Sequence, residues 1–464
     1  MNKLVSSPGT IRPMLGLAMP VLAEESLTML VGYTDWWLAG HFLVGPEFKA
    51  AMGLMSYILW LLPSMFAAVA IGATALIARF IGAGDREAAR RVTHQALLMG
   101  SAITLFVLAA VLLGGRSLVE AMQLDGRAAD LTVRYIGLLT PVIPAIMIEQ
   151  VGVACLRGAG DTVSGFVAKS IVNLVNVVVS TLLVIGPGGI PKLGWEGLAI
   201  GTACGHALGG FLVLALLIRG RAGMRLALAE MGPDWELIRR LWSIGMPGGV
   251  DVVGVLACHF VYLAIINSLG VDAAAAHGLG VQIEAMAYLP CYAFHVAAST
   301  MTGQLLGAGD PQRAERGAKQ ACYLGTSLLT AAALVFYFAG TWLAGFFTGD
   351  VDDPTALAAG KLLKIVAIST PPLAVVMVLT GALRGAGDTR WPLVATFLGL
   401  TAVRLPLACL FAWETISIPG IDVVVSGLSL GVAGAWWAMV IDVVLRSLLL
   451  VYRFWRGNWK AMSV

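Results

Sequence analysis

LeuArgGlyAlaGlyAspThr stands at Leu156–Thr162 and again, unchanged, at Leu383–Thr389, an offset of 383 − 156 = 227 residues in a chain of 464. The same offset pairs Pro20 with Pro247, Pro63 with Pro290 and Pro144 with Pro371. Prolines matched at one spacing along the whole chain mark an internal duplication, one unit written twice. GlyAlaGlyAsp occurs four times, at Gly82–Asp85, Gly158–Asp161, Gly307–Asp310 and Gly385–Asp388, each time after a long apolar run. Glycine takes the left-handed conformation that closes a helix, and aspartate accepts from free amides at the start of the next. The motif predicts helix-turn-helix joints, and no chemistry is assigned to it.

The chain is 58% hydrophobic and 12% charged, with a mean hydropathy of +0.85. A soluble globular domain carries about 25% charged residues, so this composition specifies a polytopic membrane protein. Glycine contributes 55 residues, as expected where helices approach closely without a hydrophobic effect to drive them together. A net charge of +3 spread over loops gives no support for a nucleic-acid partner. The six cysteines lie in apolar stretches without a CxxC pair, which points to neither a disulfide framework nor a zinc site.

Apolar stretches long enough to cross a bilayer run at roughly 14–43, 50–81, 93–114, 133–156, 163–186 and 194–218. After the charged segment Arg219–Arg240, six more run at roughly 241–268, 273–306, 318–347, 361–383, 391–413 and 427–452. The expected architecture is an all-α polytopic membrane protein: twelve transmembrane helices in two pseudo-symmetric six-helix lobes around a central cleft. The lobes are 1–218 and 241–464, and 219–240 is a cytoplasmic linker. With a cytoplasmic N-terminus, 21 lysines and arginines fall on the cytoplasmic side and seven on the other. The basic residues thus place both termini in the cytoplasm of a multi-pass protein of the cell (inner) membrane. Six spans per half make both halves enter the bilayer the same way, which suits alternating access.

MetProValLeuAlaGlu (19–24), GlyTyrThrAspTrpTrpLeuAlaGly (32–40) and the two LeuArgGlyAlaGlyAspThr copies resemble the multidrug and toxic compound extrusion (MATE) family. AlaAlaHisGlyLeu (275–279), GluAlaMetAlaTyrLeuPro (284–290) and ThrMetThrGlyGlnLeuLeuGlyAlaGlyAsp (300–310) continue the likeness through the second half. The resemblance covers essentially the whole chain. It implies a secondary active antiporter, not an enzyme. Such a protein exports amphipathic, often cationic, organic compounds against H+ or Na+, with no cofactor and, as expected here, as a monomer. A lipid-linked precursor flippase of the same wider superfamily remains the alternative. For that activity a strongly basic cavity is expected, and Arg404 is the arginine set deep in a span.

Ionisable groups inside spans are costly and are functional candidates by default. Glu24 and Asp35 are eleven residues apart on the first helix, about 20° off one face and roughly 16 Å along it. They define a stripe for cation or proton coupling. Asp35 falls where the family keeps a helix 1 aspartate for that purpose. Glu25 points about 100° away from Glu24 and is left out. Asn173, Asn176 and Ser180 share a helix face and offer amide and hydroxyl oxygens. Asn176 matches a family asparagine, while Ser180 replaces an aspartate carried by some members.

In the second half Asp251 is the repeat partner of Glu24 (24 + 227 = 251), and Glu284 and Gln282 lie together in a later span. Many family members place acids where this chain has Val255 and Leu373, so C-lobe coupling or substrate binding falls to Asp251, Glu284, Gln282 and Arg404. Arg404 is expected to neutralise one of those two acids, and Asp442 to pair with Arg446. Tyr33, Trp36, Glu149, Met286, Tyr288 and Tyr292 are candidates for the cavity lining. The histidines show no HisXXXHis spacing and no metal is proposed. The repeated span prolines read as bends shared by both lobes.

Overall fold

The computed structural model describes residues 9–43, 45–121, 126–227, 231–417 and 424–462. Helices dominate: α1 (Ile11–Phe42), α2 (Pro46–Ser64), α3 (Ala67–Gly82), α4 (Arg86–Ala121), α5 (Gly126–Leu139), α6 (Ile143–Gly158), α7 (Thr162–Ile185) and α8 (Trp195–Ile218) precede the midpoint. Then come α9 (Trp235–Asn267), α10 (Val271–Gly307), α11 (Pro311–Thr348), α12 (Pro354–Gly385), α13 (Arg390–Phe397), α14 (Leu405–Ala412) and α15 (Gly431–Arg456). Among the described residues, eleven helical stretches are long and apolar enough to cross a bilayer. The remaining long helix is α10, 37 residues, whose apolar run is interrupted by His277, Gln282, Glu284 and His295. It completes a twelve-span, all-α membrane fold. A hairpin of two three-residue strands, β1 (Thr415–Ser417) and β2 (Val424–Ser426), is added between α14 and α15.

The four GlyAlaGlyAsp joints share one geometry. Gly84, Gly160, Gly309 and Gly387 all have φ between 75° and 89°. The following aspartate amide bonds back to the carbonyl five residues earlier, as in Asp161 N to Leu156 O at 2.8 Å and Asp388 N to Leu383 O at 2.8 Å. This is the six-to-one closure of a Schellman cap. Asp85, Asp161 and Asp310 then cap the next helix by accepting from a backbone amide at 2.9–3.0 Å. Asp388 instead accepts from Arg453 Nε at 2.7 Å, and Asp161 also accepts from Arg221 Nε at 2.6 Å.

The prolines do not bend the halves alike. A turn separates α2 from α3 after Pro63, and a 3-10 turn at Thr140–Val142 separates α5 from α6. Pro290 and the pair Pro371–Pro372 lie inside uninterrupted helices. In the second half the irregularity falls elsewhere, in a π-helical segment at Leu398–Arg404 joining α13 to α14.

The described residues form two compact units, one within 16–249 and the other within 250–462 together with 9–15. The division falls within α9 rather than in the charged segment ending at Arg240. In the first unit Gly197, Gly201, Gly205 and Gly209 recur every fourth residue on α8. A Cβ on Gly201 would lie 2.0 Å from Ser180 Oγ and 2.7 Å from Ser180 N, and one on Gly205 2.7 Å from Val172 O. This small-residue stripe lets α8 lie backbone-close against α7. It presses the polar face of α7 into the interior.

Candidate functional site

The duplication carries an ion pair with it. Arg157, inside the first LeuArgGlyAlaGlyAspThr copy, donates through Nη2 to both Glu24 carboxylate oxygens, at 2.8 and 2.7 Å. Arg384, inside the second copy, donates to Asp251 Oδ2 at 2.5 Å. Both acids are buried. Each pair bridges the same sequence interval, 157 − 24 = 384 − 251 = 133. The arginine of a motif read as a plain joint is thus the counter-ion of an acid in each unit.

Glu24 and Asp35 consequently occupy different settings on α1. Asp35 is 6% exposed, and its Oδ1 has no hydrogen-bond partner. It lies within electrostatic reach of Tyr135 on α5. The Tyr135 hydroxyl meets Thr202 Oγ1 at 3.0 Å, and Asn176 Nδ2 donates to the same Thr202 oxygen at 2.9 Å. Asn176 Oδ1, Asn173 Nδ2 and Ser180 Oγ are buried without partners. Four spans thus deliver a buried cluster of Asp35, Tyr135, Asn173, Asn176, Ser180 and Thr202 with several polar atoms unused by the protein, an arrangement that costs free energy unless a guest satisfies it.

A second polar network adjoins Glu24. Glu149 on α6 is fully buried, ion-paired to Lys169 and hydrogen-bonded to His206 Nδ1 at 2.8 Å. Lys169 also feels Glu24 and Arg157, and Glu25 feels Glu24, Arg157 and Lys169. Glu25, set aside on helical geometry, therefore belongs to this network, and Glu149 is an ion-pair centre rather than an open lining residue. At the repeat position of Glu149 stands Val376 (149 + 227 = 376). The second unit has no equivalent acid there.

Arg404 does not neutralise Asp251 or Glu284; it goes to Asp442. Arg404 donates Nε to Asp442 Oδ2 at 2.9 Å and places Nη2 2.8 Å from it. Arg446 donates Nε to Oδ1 and Nη2 to Oδ2, both at 2.8 Å. The guanidinium of Arg404 lies 5.8 Å from the ring centre of buried Tyr262, whose hydroxyl has no partner. Glu284 is half-buried on α10 and acts on Arg404 without an ion-pair contact. Gln282, Met286, Tyr288 and Trp36 are exposed, Tyr33 and Tyr292 half-buried, and Tyr292 stacks on His295 at 5.3 Å.

The MatE family model matches residues 20–182 and 247–410, one match per half, and their starts differ by 247 − 20 = 227. Over 98% of its length the chain is 26% identical to the probable multidrug resistance protein NorM of Thermotoga maritima, covering 95% of that protein. A crystal structure of MATE in complex with MaL6 shares its fold with a TM-score of 0.87 at 19% identity, over 98% of each chain. A transporter of the MOP superfamily from Pyrococcus furiosus, described as having a binding pocket of reverse polarity that suggests a different function, matches with a TM-score of 0.88 at 19% identity, over 99% of this chain and 98% of that one. The family couples transport to H+ or Na+ and its members are transporters rather than enzymes. With the family model matched in both halves and 95% of a relative covered, the chain belongs to the MatE family of multi-pass membrane transporters.

Proposed function

We propose that this protein exports amphipathic organic compounds by alternating access, driven by H+ or Na+ entering at the Asp35 cluster of the first unit. The observation that carries the reading is the buried Asp35 carboxylate with an unused Oδ1, set near Tyr135 and accompanied by the unused oxygens of Asn176 and Ser180. A proton on Oδ1 removes the charge. A sodium ion would draw on the same aspartate, amide and hydroxyl oxygens. Either guest changes the relative stability of the two facings of the transporter, and a cargo that competes for it couples cation entry to export by mutual exclusion. Glu24 and Asp251 take part through their arginines, as fixed pairs rather than as open ligands. The protein works as a monomer in the inner membrane with both termini cytoplasmic, and 219–240 links its two lobes.

Ethidium efflux from inverted membrane vesicles or proteoliposomes, with a pH gradient and a sodium gradient imposed separately, tests this. One gradient should drive efflux in the parent, and Asp35→Asn should uncouple it. Unchanged gradient dependence in Asp35→Asn overturns the assignment. A lipid-linked precursor flippase is the second reading, favoured by the two arginines that share Asp442. Its loss would block envelope synthesis instead of sensitising cells to drugs.

A further inference from the structure

We infer that Arg404 and Arg446, held by Asp442 and flanked by Tyr262, form a binding site in the second unit for the carboxylate of an amphipathic organic anion or zwitterion. Two guanidiniums facing one carboxylate leave one of them without a carboxylate of its own inside a span, where an unpaired charge is costly, and Glu284 reaches Arg404 only without contact. A structural tie needs one arginine. Asp442 accepts the four donor contacts described above, whereas two guanidiniums carry ten N–H donors. Among the described residues, the hydrogen bonds of both arginines end on Asp442 alone. Tyr262 adds a buried hydroxyl without a partner beneath Arg404. A guanidinium fork fits a planar carboxylate in bidentate fashion. One guanidinium without a carboxylate of its own fits a monoanion better than a phosphate dianion.

The site is built rather than incidental. A Cβ on Gly399 would lie 2.1 Å from Asp442 Oδ1 and 2.5 Å from Arg446 Cγ, so the cluster exists only because position 399 has no side chain. The π-helical segment ends on Arg404 itself, and such irregular turns gather at functional sites. In the first half the repeat positions of Arg404 and Tyr262 are Val177 and Asp35 (404 − 227 = 177, 262 − 227 = 35). The equivalent of the Tyr262 hydroxyl is thus the Asp35 carboxylate, and the equivalent of Arg404 is the apolar Val177, so the guanidinium is particular to the second unit. The other acids in electrostatic range are Glu284, which acts on Arg404 without pairing with it, and Asp251, which acts on Arg446 but is bound to Arg384. Glu284 is therefore the resident competitor of an incoming carboxylate.

The inference rests on the exporter reading in treating the anion as cargo. The test uses the full-length protein in nanodiscs and three probes with one aromatic body: pyrenebutyrate, its methyl ester and its trimethylammonium counterpart. Binding is read by tryptophan-to-pyrene energy transfer against empty nanodiscs. The carboxylate should bind about tenfold or more tighter than the ester. Arg404→Gln leaves Asp442 its pair with Arg446, so the fold is kept while the preference falls towards one. Glu284→Gln should raise carboxylate affinity severalfold and leave the ester unchanged, a gain that misfolding cannot mimic. Equal binding of acid and ester by the parent, or a preference untouched by Arg404→Gln, overturns the inference. Ethidium efflux by the same purified protein reconstituted in proteoliposomes decides the exporter reading independently: efflux without carboxylate preference sinks the anion site alone, and preference without efflux sinks export alone.

Discussion

Replacing Arg157 by methionine tests the duplicated ion pair. The change keeps an apolar stem of similar length but leaves Glu24, 3% exposed, without the Nη2 contacts at 2.7 and 2.8 Å. Breaking a buried pair by deleting one partner costs about 3–5 kcal/mol, because the remaining charge is stranded. Glu25 lies in the same field and Lys169 is already paired to Glu149, so little compensation is at hand. For a unit of this size, about 2 °C of melting temperature is lost per kcal/mol at the low end. The expected fall is about 6–10 °C, read by thermal unfolding of detergent-purified protein. Arg384→Met should cost less, since the stranded Asp251 keeps Arg446 within range. The double variant Glu24→Gln with Arg157→Met removes both charges and should regain most of the loss. A melting temperature within 1–2 °C of the parent for Arg157→Met, or no recovery in the double variant, refutes the reasoning.

Gly201→Leu should separate α7 from α8, because even a Cβ meets Ser180 Oγ at 2.0 Å and Ser180 N at 2.7 Å. The cost is about 2 kcal/mol or more, and a normal yield of correctly sized monodisperse protein would contradict it. Asp161 gives a pH test. Burial pushes its carboxyl up from the usual 3.8, but the Ser164 amide, Arg221 and the Ser164 hydroxyl outweigh this and hold it lower. The sign follows from linkage: the stabilisation is complete above about pH 4 and is lost as pH falls through the depressed value. Asp161→Asn keeps a capping acceptor but loses the charge, and Arg221 is half exposed, so a gap of about 0.5–1 kcal/mol is expected at neutral pH. That gap in melting temperature should close below the usual carboxylate range, and a gap that widens on acidification would be the contrary result.

Much of the frame was legible because a bilayer imposes a simple rule: spans must be apolar, helical and about twenty residues long. The helix limits found at Thr162–Ile185 and Trp195–Ile218 lie within one residue of those expected at 163–186 and 194–218. The Schellman joints were equally readable, since only glycine sits comfortably at their positive φ. Partners across the bundle were not. Helical phase places Glu24 and Asp35 on one stripe, yet phase carries no information about what stands opposite, and Arg157 stands opposite only one of them. The duplication did hold that signal, because an acid at 24 and 251 and an arginine at 157 and 384 repeat together. Thr202 lay hidden in a glycine-rich helix, where a single hydroxyl announces nothing until Tyr135 and Asn176 converge on it. The uneven bends were hidden too, since Pro63 precedes a break and its repeat partner Pro290 does not.

The two units keep the same skeleton and differ in the charge they bury. The joints and the pairs Glu24–Arg157 and Asp251–Arg384 are common to both, as expected of groups that hold the fold. Of the interior charges described above, the first unit has four carboxylates (Glu24, Glu25, Asp35, Glu149) against Arg157 and Lys169. The second has three (Asp251, Glu284, Asp442) against Arg384, Arg404 and Arg446, equal in number but unevenly paired: Arg404 and Arg446 share Asp442 while Glu284 makes no ion-pair contact. Selection for stability alone would favour the same cheap, neutral interior in both copies, because each surplus charge or unused polar atom is paid in folding free energy. The surplus instead lies at Asp35 with its unused oxygen and at Arg404 with its unused donors, each standing where the other half of the repeat differs. A cation guest suits the first and an anionic group the second. Exchanging Arg404 for glutamine should therefore shift the cargo range towards permanent cations, while the driving ion, proposed above to enter at Asp35, stays unchanged.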